Sequence, residues 1–254
     1  MNLVIDIGNT QIKLAIFDQF DLVYTNTLRH EAPEALMKWL VNEIAPYPIT
    51  KSIISNVADI SPQTLEQLTK AFPLPIFYTA NTPVPIKNRY ETPTSLGADR
   101  IPAVIGAWGL LNKQPSNVLV IDAGTCIKFN FLNNNNEFEG GYISPGLNMR
   151  YMALNTFTGK LPLMQQPSIP HYPSTLGWLG KSTTLSMQIG VEQGIMAEIE
   201  TGIRWYEDTY ATLKVFLTGG DHSFFEKRLK NPIFVDPYLV LRGLNLILLY
   251  ADGE

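Results

Sequence analysis

The chain has 254 residues, of which 45% are hydrophobic, and a formal net charge of −4; this is the make-up of a folded globular protein, and it excludes the disordered and fibrous classes. With 19 Lys and Arg against 23 Asp and Glu, there is no cationic surplus to neutralise phosphates, so no nucleic acid is expected as a partner. Charged residues are only 17%, below the usual share, which hints at surface buried against another subunit. The single cysteine, Cys126, excludes a disulfide framework and a cysteine-built metal site, and it fits a reducing compartment.

The N-terminal MNLVIDIGNT lacks a basic stretch ahead of an apolar run, and Asp6 interrupts that run early. The most apolar stretches, IPAVIGAWGLL and GLNLILLYA, are far too short to span a bilayer. A soluble, cytoplasmic chain with no membrane partner is therefore expected.

In chain order, 2–6 and 11–17 read as strands around a short glycine-containing turn, and 22–28 as a third strand. Pro33 opens a helix with Leu36, Leu40 and Ile44 on one face. A buried strand at 51–57 follows, then a helix from Ser61-Pro62 carrying Leu65, Leu68 and Phe72. The segment TPVPIKNRYETPTSLGADR has three prolines and little periodicity, and long loops inside compact domains are usually functional. A helix is predicted over 97–111, and then the strand NVLVID. After Pro145-Gly146 a helix carries Met149, Met152 and Ala153, and a proline-rich loop follows. The helix predicted over 183–206 has Met187, Val191, Ile195, Ile199 and Ile203 at i+4 spacing. Gly190 and Gly194 inside it imply a backbone packed closely there, in the core or across a dimer. KVFLTGGD reads as strand and turn, and 238–251 as a buried helix.

The most informative feature is an internal repeat: VIDIGNTQIKLAIF at 4–17 matches VIDAGTCIKFNFL at 120–132 with one gap, and each continues through a polar turn into a third strand. Asp6 and Asp122 are equivalent positions in two copies of one unit. An Asp that ends a strand, followed by Gly and small polar residues, makes a turn whose N–H groups can face an anion, while the carboxylate can hold magnesium through water. One such turn alone is equally an ordinary hairpin. Two copies can grip a polyphosphate from both sides, and Thr218-Gly219-Gly220-Asp221 adds a third glycine turn suited to adenine or ribose. Asp99-Arg100 opens an apolar helix after the long loop. Its carboxylate either caps that helix or serves as the base that phosphoryl transfer requires, and Arg100 either binds a carboxylate or forms a structural ion pair.

These duplicated hairpins resemble the acetate and sugar kinase/Hsp70/actin superfamily. DIGNT at 6–10, Tyr90 with Pro93, LGADR at 96–100, DAGT at 122–125, GGYISPG at 140–146, GKST at 180–183 and TGG at 218–220 together are similar to the type III pantothenate kinase family. Cys126 stands where Ala is more usual in that family. The resemblance implies an α/β fold of two duplicated actin-like (ribonuclease H-like) halves, 1–112 and 113–254, with a nucleotide cleft between them. It also implies ATP-dependent phosphorylation of pantothenate and a homodimer. By the same resemblance, Asp6, Ile7, Gly8, Asn9, Thr10, Gln11, Ile12 and Lys13, with Thr125 and Gly219, would bind ATP, and Asp6 would support Mg2+ indirectly. Tyr90, Gly97, Ala98, Asp99, Arg100 and Thr183 would bind pantothenate, Asp99 as general base, and Asp122 would bind a monovalent cation, K+ or NH4+.

Other motifs carry less. GKST lacks the glycine that a P-loop requires, since position 175 is Thr. His30, His171 and His222 share no zinc or triad spacing, and no histidine motif supports Cys126 as a nucleophile. The alternatives are a non-catalytic ATP-binding transcriptional accessory protein of the same fold, a kinase for another small hydroxy acid or sugar, and a polymerising or chaperone-type relative. The last would need more subdomains than 254 residues allow.

Overall fold

The computed structural model describes residues 1–29, 33–58, 61–164, 177–251 and 253; His30 and His171 lie outside them, as does much of the proline-rich loop. In chain order the elements are β1 (Asn2–Ile7), β2 (Gln11–Asp18), β3 (Asp21–Arg29), α1 (Pro33–Ile44), β4 (Lys51–Asn56), α2 (Pro62–Ala71), β5 (Pro75–Phe77) and β6 (Lys87–Asn88). A short 3-10 helix (Pro93–Ser95) precedes α3 (Arg100–Leu110), β7 (Val118–Ala123), β8 (Cys126–Leu132), β9 (Glu137–Gly140) and β10 (Ile143–Pro145). The chain ends with α4 (Leu147–Thr156), α5 (Thr183–Thr209), β11 (Lys214–Thr218), α6 (His222–Glu226), β12 (Phe234–Val235) and α7 (Leu239–Ala251).

Two compact units result. One is Met1–Pro115 with Asn135–Glu139 and Tyr238–Glu254; the other is Ser116–Asn134 with Gly140–Pro237. The units interleave along the chain rather than dividing it at one point. In the first, the strand order is β3-β2-β1-β4-β5, antiparallel at β1–β2 and β2–β3 and parallel at β1–β4 and β4–β5. In the second, β8, β7, β11 and β12 repeat the order and sense of β2, β1, β4 and β5. The register repeats as well: Asp6 stands opposite Lys13, and Asp122 opposite Lys128. The sequence repeat is thus a duplication of topology.

β1 and β7 are buried along their whole length, as suits central strands covered on both faces, and both are continuous apolar runs up to the Asp. Of the expected helix faces, Leu36, Leu40, Leu68 and Phe72 are core, and so are Met187, Val191, Ile195, Ile199 and Ile203 of α5. The third strand of the second copy is broken into β9 and β10, because Gly141 takes φ +141 and lies so close to Phe129 that a side chain would meet its carbonyl oxygen. The helix after the long loop starts at Arg100, not 97, with Asp99 in the N-cap position. In α4 the buried residues are Leu147 and Tyr151, while Met149 and Met152 face outward. No heavy atom lies within 4 Å of a side-chain position at Gly190 or Gly194, so among the described residues no backbone of the same chain packs there.

α7 closes the first unit by packing on α3 and on β1. The two helices approach closely through glycine: a Cβ on Gly106 would stand 2.1 Å from the Leu239 carbonyl oxygen, and one on Gly243 1.8 Å from that of Pro102. Gly243→Ala should therefore lower stability by about 1–3 kcal/mol through forced separation of the helices. Thermal melting checks this; an unchanged midpoint would show that the helices can part without cost.

Candidate functional site

In the first unit the hairpin between β1 and β2 is closed by Gly8 N–H donating to the Gln11 carbonyl at 3.0 Å. Asn9 and Thr10 are exposed at its tip, while the Ile7 and Ile12 side chains are core, so these two can offer only backbone to a ligand. Asp6 is 8% exposed. Cross-strand partners project to one face, which puts Lys13 beside it. Among the described residues Lys13 forms no ion pair. The turn therefore combines exposed small polar residues, a carboxylate and an ammonium, a set suited to a metal-bound phosphate chain.

The second unit repeats the turn, with Gly124 N–H donating to the Cys126 carbonyl at 3.0 Å. Here the carboxylate is engaged: Lys128 Nζ lies 2.7 Å from Asp122 Oδ2. Thr125 accepts from Gly146 N–H, which brings the start of α4 onto the turn. On the other side stands Gly219 with φ +94, where a Cβ would come within 2.2 Å of the Ala123 oxygen; no other residue fits there. The next turn is fixed by Asp221 N–H donating to Ala123 O and by His222 Nδ1–H donating to Gly219 O at 2.8 Å. His222 is therefore a brace of the glycine turn.

Back in the first unit, the LGADR segment lines a cavity of about 400 Å³ with Leu96, Gly97 and Ala98, against Asn56 and Val57 at the end of β4 and Tyr78 after β5. Val57 N–H donates to Ile7 O. Cavity and Asp6 turn thus both sit at the carboxyl edge of the parallel strands β1, β4 and β5, the edge where open α/β sheets bind ligands. Asp99 makes no side-chain capping hydrogen bond to α3. Its Oδ1 folds back to 3.0 Å from a Gly97 Cβ position, which sets the carboxylate beside a residue that lines the cavity. Arg100 is 2% exposed, its guanidinium 5.4 Å from the Tyr90 ring centre and 5.8 Å from that of Phe138. The two aromatic faces hold the buried cation and aim it.

Thr183 begins α5, where Ser182 Oγ caps the helix by accepting from Leu185 N–H. With Lys181 and Arg150, Thr183 lines an open groove of the second unit. Cys126 is half-buried beside the turn.

Three residues of the site escaped the sequence reading. Tyr78, 9% exposed, lines the cavity, and burial pushes its phenol well above the usual 10.0, with the charge of Asp99 adding to the rise. Asn56 Oδ1 accepts from Ala58 N–H, which leaves its amide N–H groups as donors at the cavity. Lys128 is the third, although its place opposite Asp122 could have been found by aligning the repeat with Lys13.

Among the described residues no group of three or more His, Cys, Asp or Glu forms a protein-only metal cage. No helix there is long and apolar enough to cross a membrane. A hard divalent cation that takes most ligands from phosphate and water would need only the single strand-end carboxylate that Asp6 provides.

A sequence model of the family described as type III pantothenate kinase matches residues 2–204. A type III pantothenate kinase of Bacteroides fragilis is 41% identical over 258 residues, covering 100% of both chains. One from Cytophaga hutchinsonii is 43% identical, covering 98% of this chain and 99% of its own. Among solved structures, a Campylobacter jejuni protein assigned to a Baf family of transcriptional activators superposes with TM-score 0.57 at 20% identity, over 99% of this chain and 100% of that one. An Arthrobacter polyphosphate/ATP-glucomannokinase gives 0.51 at 14%, over 98% of each. These last two show the fold alone, and it is the duplicated actin-like α/β fold expected.

The Tyr78 phenol keeps its proton in the folded protein at a pH where the unfolded chain ionises. Its contribution to stability is therefore complete below pH 10 and is lost as pH rises beyond it. Tyr142, also pushed up by burial, acts with the same sign. Melting curves should show stability falling above pH 10, and less steeply in Tyr78→Phe; equal slopes would contradict the buried phenol.

Proposed function

This chain belongs to the type III pantothenate kinase family, and from that premise we propose that it transfers the γ-phosphoryl group of ATP to the primary hydroxyl of pantothenate, giving 4′-phosphopantothenate and ADP in the first step of coenzyme A biosynthesis. One observation carries the reading: the Asp6–Thr10 turn and the Asp99 cavity open on the same carboxyl edge of β1, β4 and β5. A phosphate-type turn and a hydroxyl-accepting base have to be neighbours for phosphoryl transfer.

The Asp99 carboxylate accepts the hydroxyl proton as the oxygen attacks phosphorus and ADP departs. The turn N–H groups and Lys13 bind the phosphates, and Asp6 would hold magnesium through water. When bound, that ion supplies neutralisation of the phosphate charge. No residue lining the cavity is charged, so it suits the uncharged pantoyl end: Val57, Leu96 and Ile101 face its methyl groups, and the Tyr78 hydroxyl and Asn56 amide donate to its oxygens. Arg100 and Tyr90 are left for the rest of the molecule, with the Arg100 guanidinium suited to the substrate carboxylate.

A second copy of the chain completes the assembly in this reading. Ile143 of β10, Met149 and Met152 of α4 and Phe157 just after α4 are exposed apolar side chains in one unit, and open space over Gly190 leaves room for a partner helix. A cytoplasmic location suits the single thiol and the need for ATP.

Two variants test the assignment by pantothenate-dependent ADP release. Asp99→Asn should lower kcat by about two to four orders of magnitude, the worth of a positioned base, and leave ATP affinity unchanged. Lys13→Ala should raise KM for ATP by about tenfold, a single lost charge-assisted contact, and spare KM for pantothenate. Full activity in Asp99→Asn would remove Asp99 from the role of base.

A further inference from the structure

The monovalent cation expected at Asp122 meets a side chain already in place. Lys128 projects from β8 on the face that Asp122 occupies, with Nζ 2.7 Å from Oδ2 and side chains only 18% and 12% exposed. That is the length of a short charge-assisted hydrogen bond between ammonium and carboxylate. We propose that Lys128 Nζ is a built-in cation that takes the place of dissolved potassium or ammonium at Asp122, so that this chain works without a monovalent salt. The inference rests on the kinase reading above and concerns a residue to which that reading gives no role.

Three observations carry it. The first is chemical, since a lysine head is a substituted ammonium ion with the same charge as one of the two expected ions and three of its four N–H donors. The second is the internal control provided by the duplication. Lys13 and Asp6 stand in the same register in the first unit, yet Lys13 forms no ion pair among the described residues. Register alone therefore does not force the contact, and the second unit makes it where the cation was expected. The third is room. Asp122 Oδ1 lies 2.6 Å from a Cβ position on Gly219, and the buried Thr218 flanks Asp122 on the adjoining strand. The carboxylate is thus enclosed, and Lys128 holds its other oxygen. A second cation there would set two like charges against one carboxylate in a poorly solvated place, which is unfavourable. Being tethered, Lys128 also loses no translational freedom when it binds.

The experiment compares wild type and Lys128→Met in potassium, ammonium and choline buffers of equal ionic strength. It reads pantothenate-dependent ADP release and, separately, ATP affinity by calorimetry. Wild type should vary by less than about twofold across the three. Lys128→Met should fall at least about tenfold in choline, the scale of one lost close charge contact, and recover in potassium or ammonium. Tenfold activation of wild type by either ion would overturn the proposal without need of any variant, so a misfolded Lys128→Met leaves it testable. Equal behaviour of a folded Lys128→Met in all three buffers would overturn it too. If no buffer supports ADP release, the kinase reading has failed, and ATP affinity then decides by the same pattern. Salt-independent binding in wild type with salt-dependent binding in the variant supports the built-in cation, and any other pattern contradicts it.

Discussion

A carboxylate at the end of a fully buried strand is the constraint on which this structure depends. β1 and β7 are covered on both faces, and each runs directly into an aspartate that is less than a tenth exposed. A charge in such a place has to be compensated by a cation or by hydrogen bonds. The antiparallel return strand brings a lysine to the same face in both units, and the parallel neighbour ends level with the aspartate. Within each unit a glycine turn lies at these strand ends, and in the first unit the LGADR loop does too, because connections leave parallel strands there.

The duplication then lets the same arrangement take two courses. At Asp122 the compensation is internal, through Lys128. In the first unit Lys13 is not committed in this way, and it stands beside exposed Asn9 and Thr10. One hairpin is closed upon itself, and the other keeps a set of groups suited to an anion. This division of labour arises from side-chain placement alone, with the backbone register held constant.

Much of this was legible in the sequence because it depends on local chemistry. The VIDxG repeat, the apolar run of each central strand and the i+4 stripe of α5 are direct consequences of burial, and the structure has them. What could not be read depends on contacts distant in sequence. The return of α7 to α3 rests on Gly106 and Gly243 meeting backbone carbonyls far along the chain. Tyr78 follows the short strand β5, which the sequence pattern does not reveal, and it gains its place only when the cavity forms around it. The outward-facing Met149 and Met152 break the rule that apolar helix residues point to the core, as an unpartnered contact surface would. The pairing of Lys128 with Asp122 follows from the register of the repeat, but the sequence does not tell which of the two equivalent lysines will close the ion pair.

In this reading the Asp6 turn and the Asp99 cavity together phosphorylate pantothenate. Its most direct test is to identify the product, by mass spectrometry and 31P NMR, after incubation of the protein with pantothenate and magnesium-ATP. A single phosphomonoester on the primary hydroxyl, formed in step with ADP, is expected. Folded protein that binds ATP yet leaves pantothenate unmodified, or that places the phosphate on another oxygen, would contradict it.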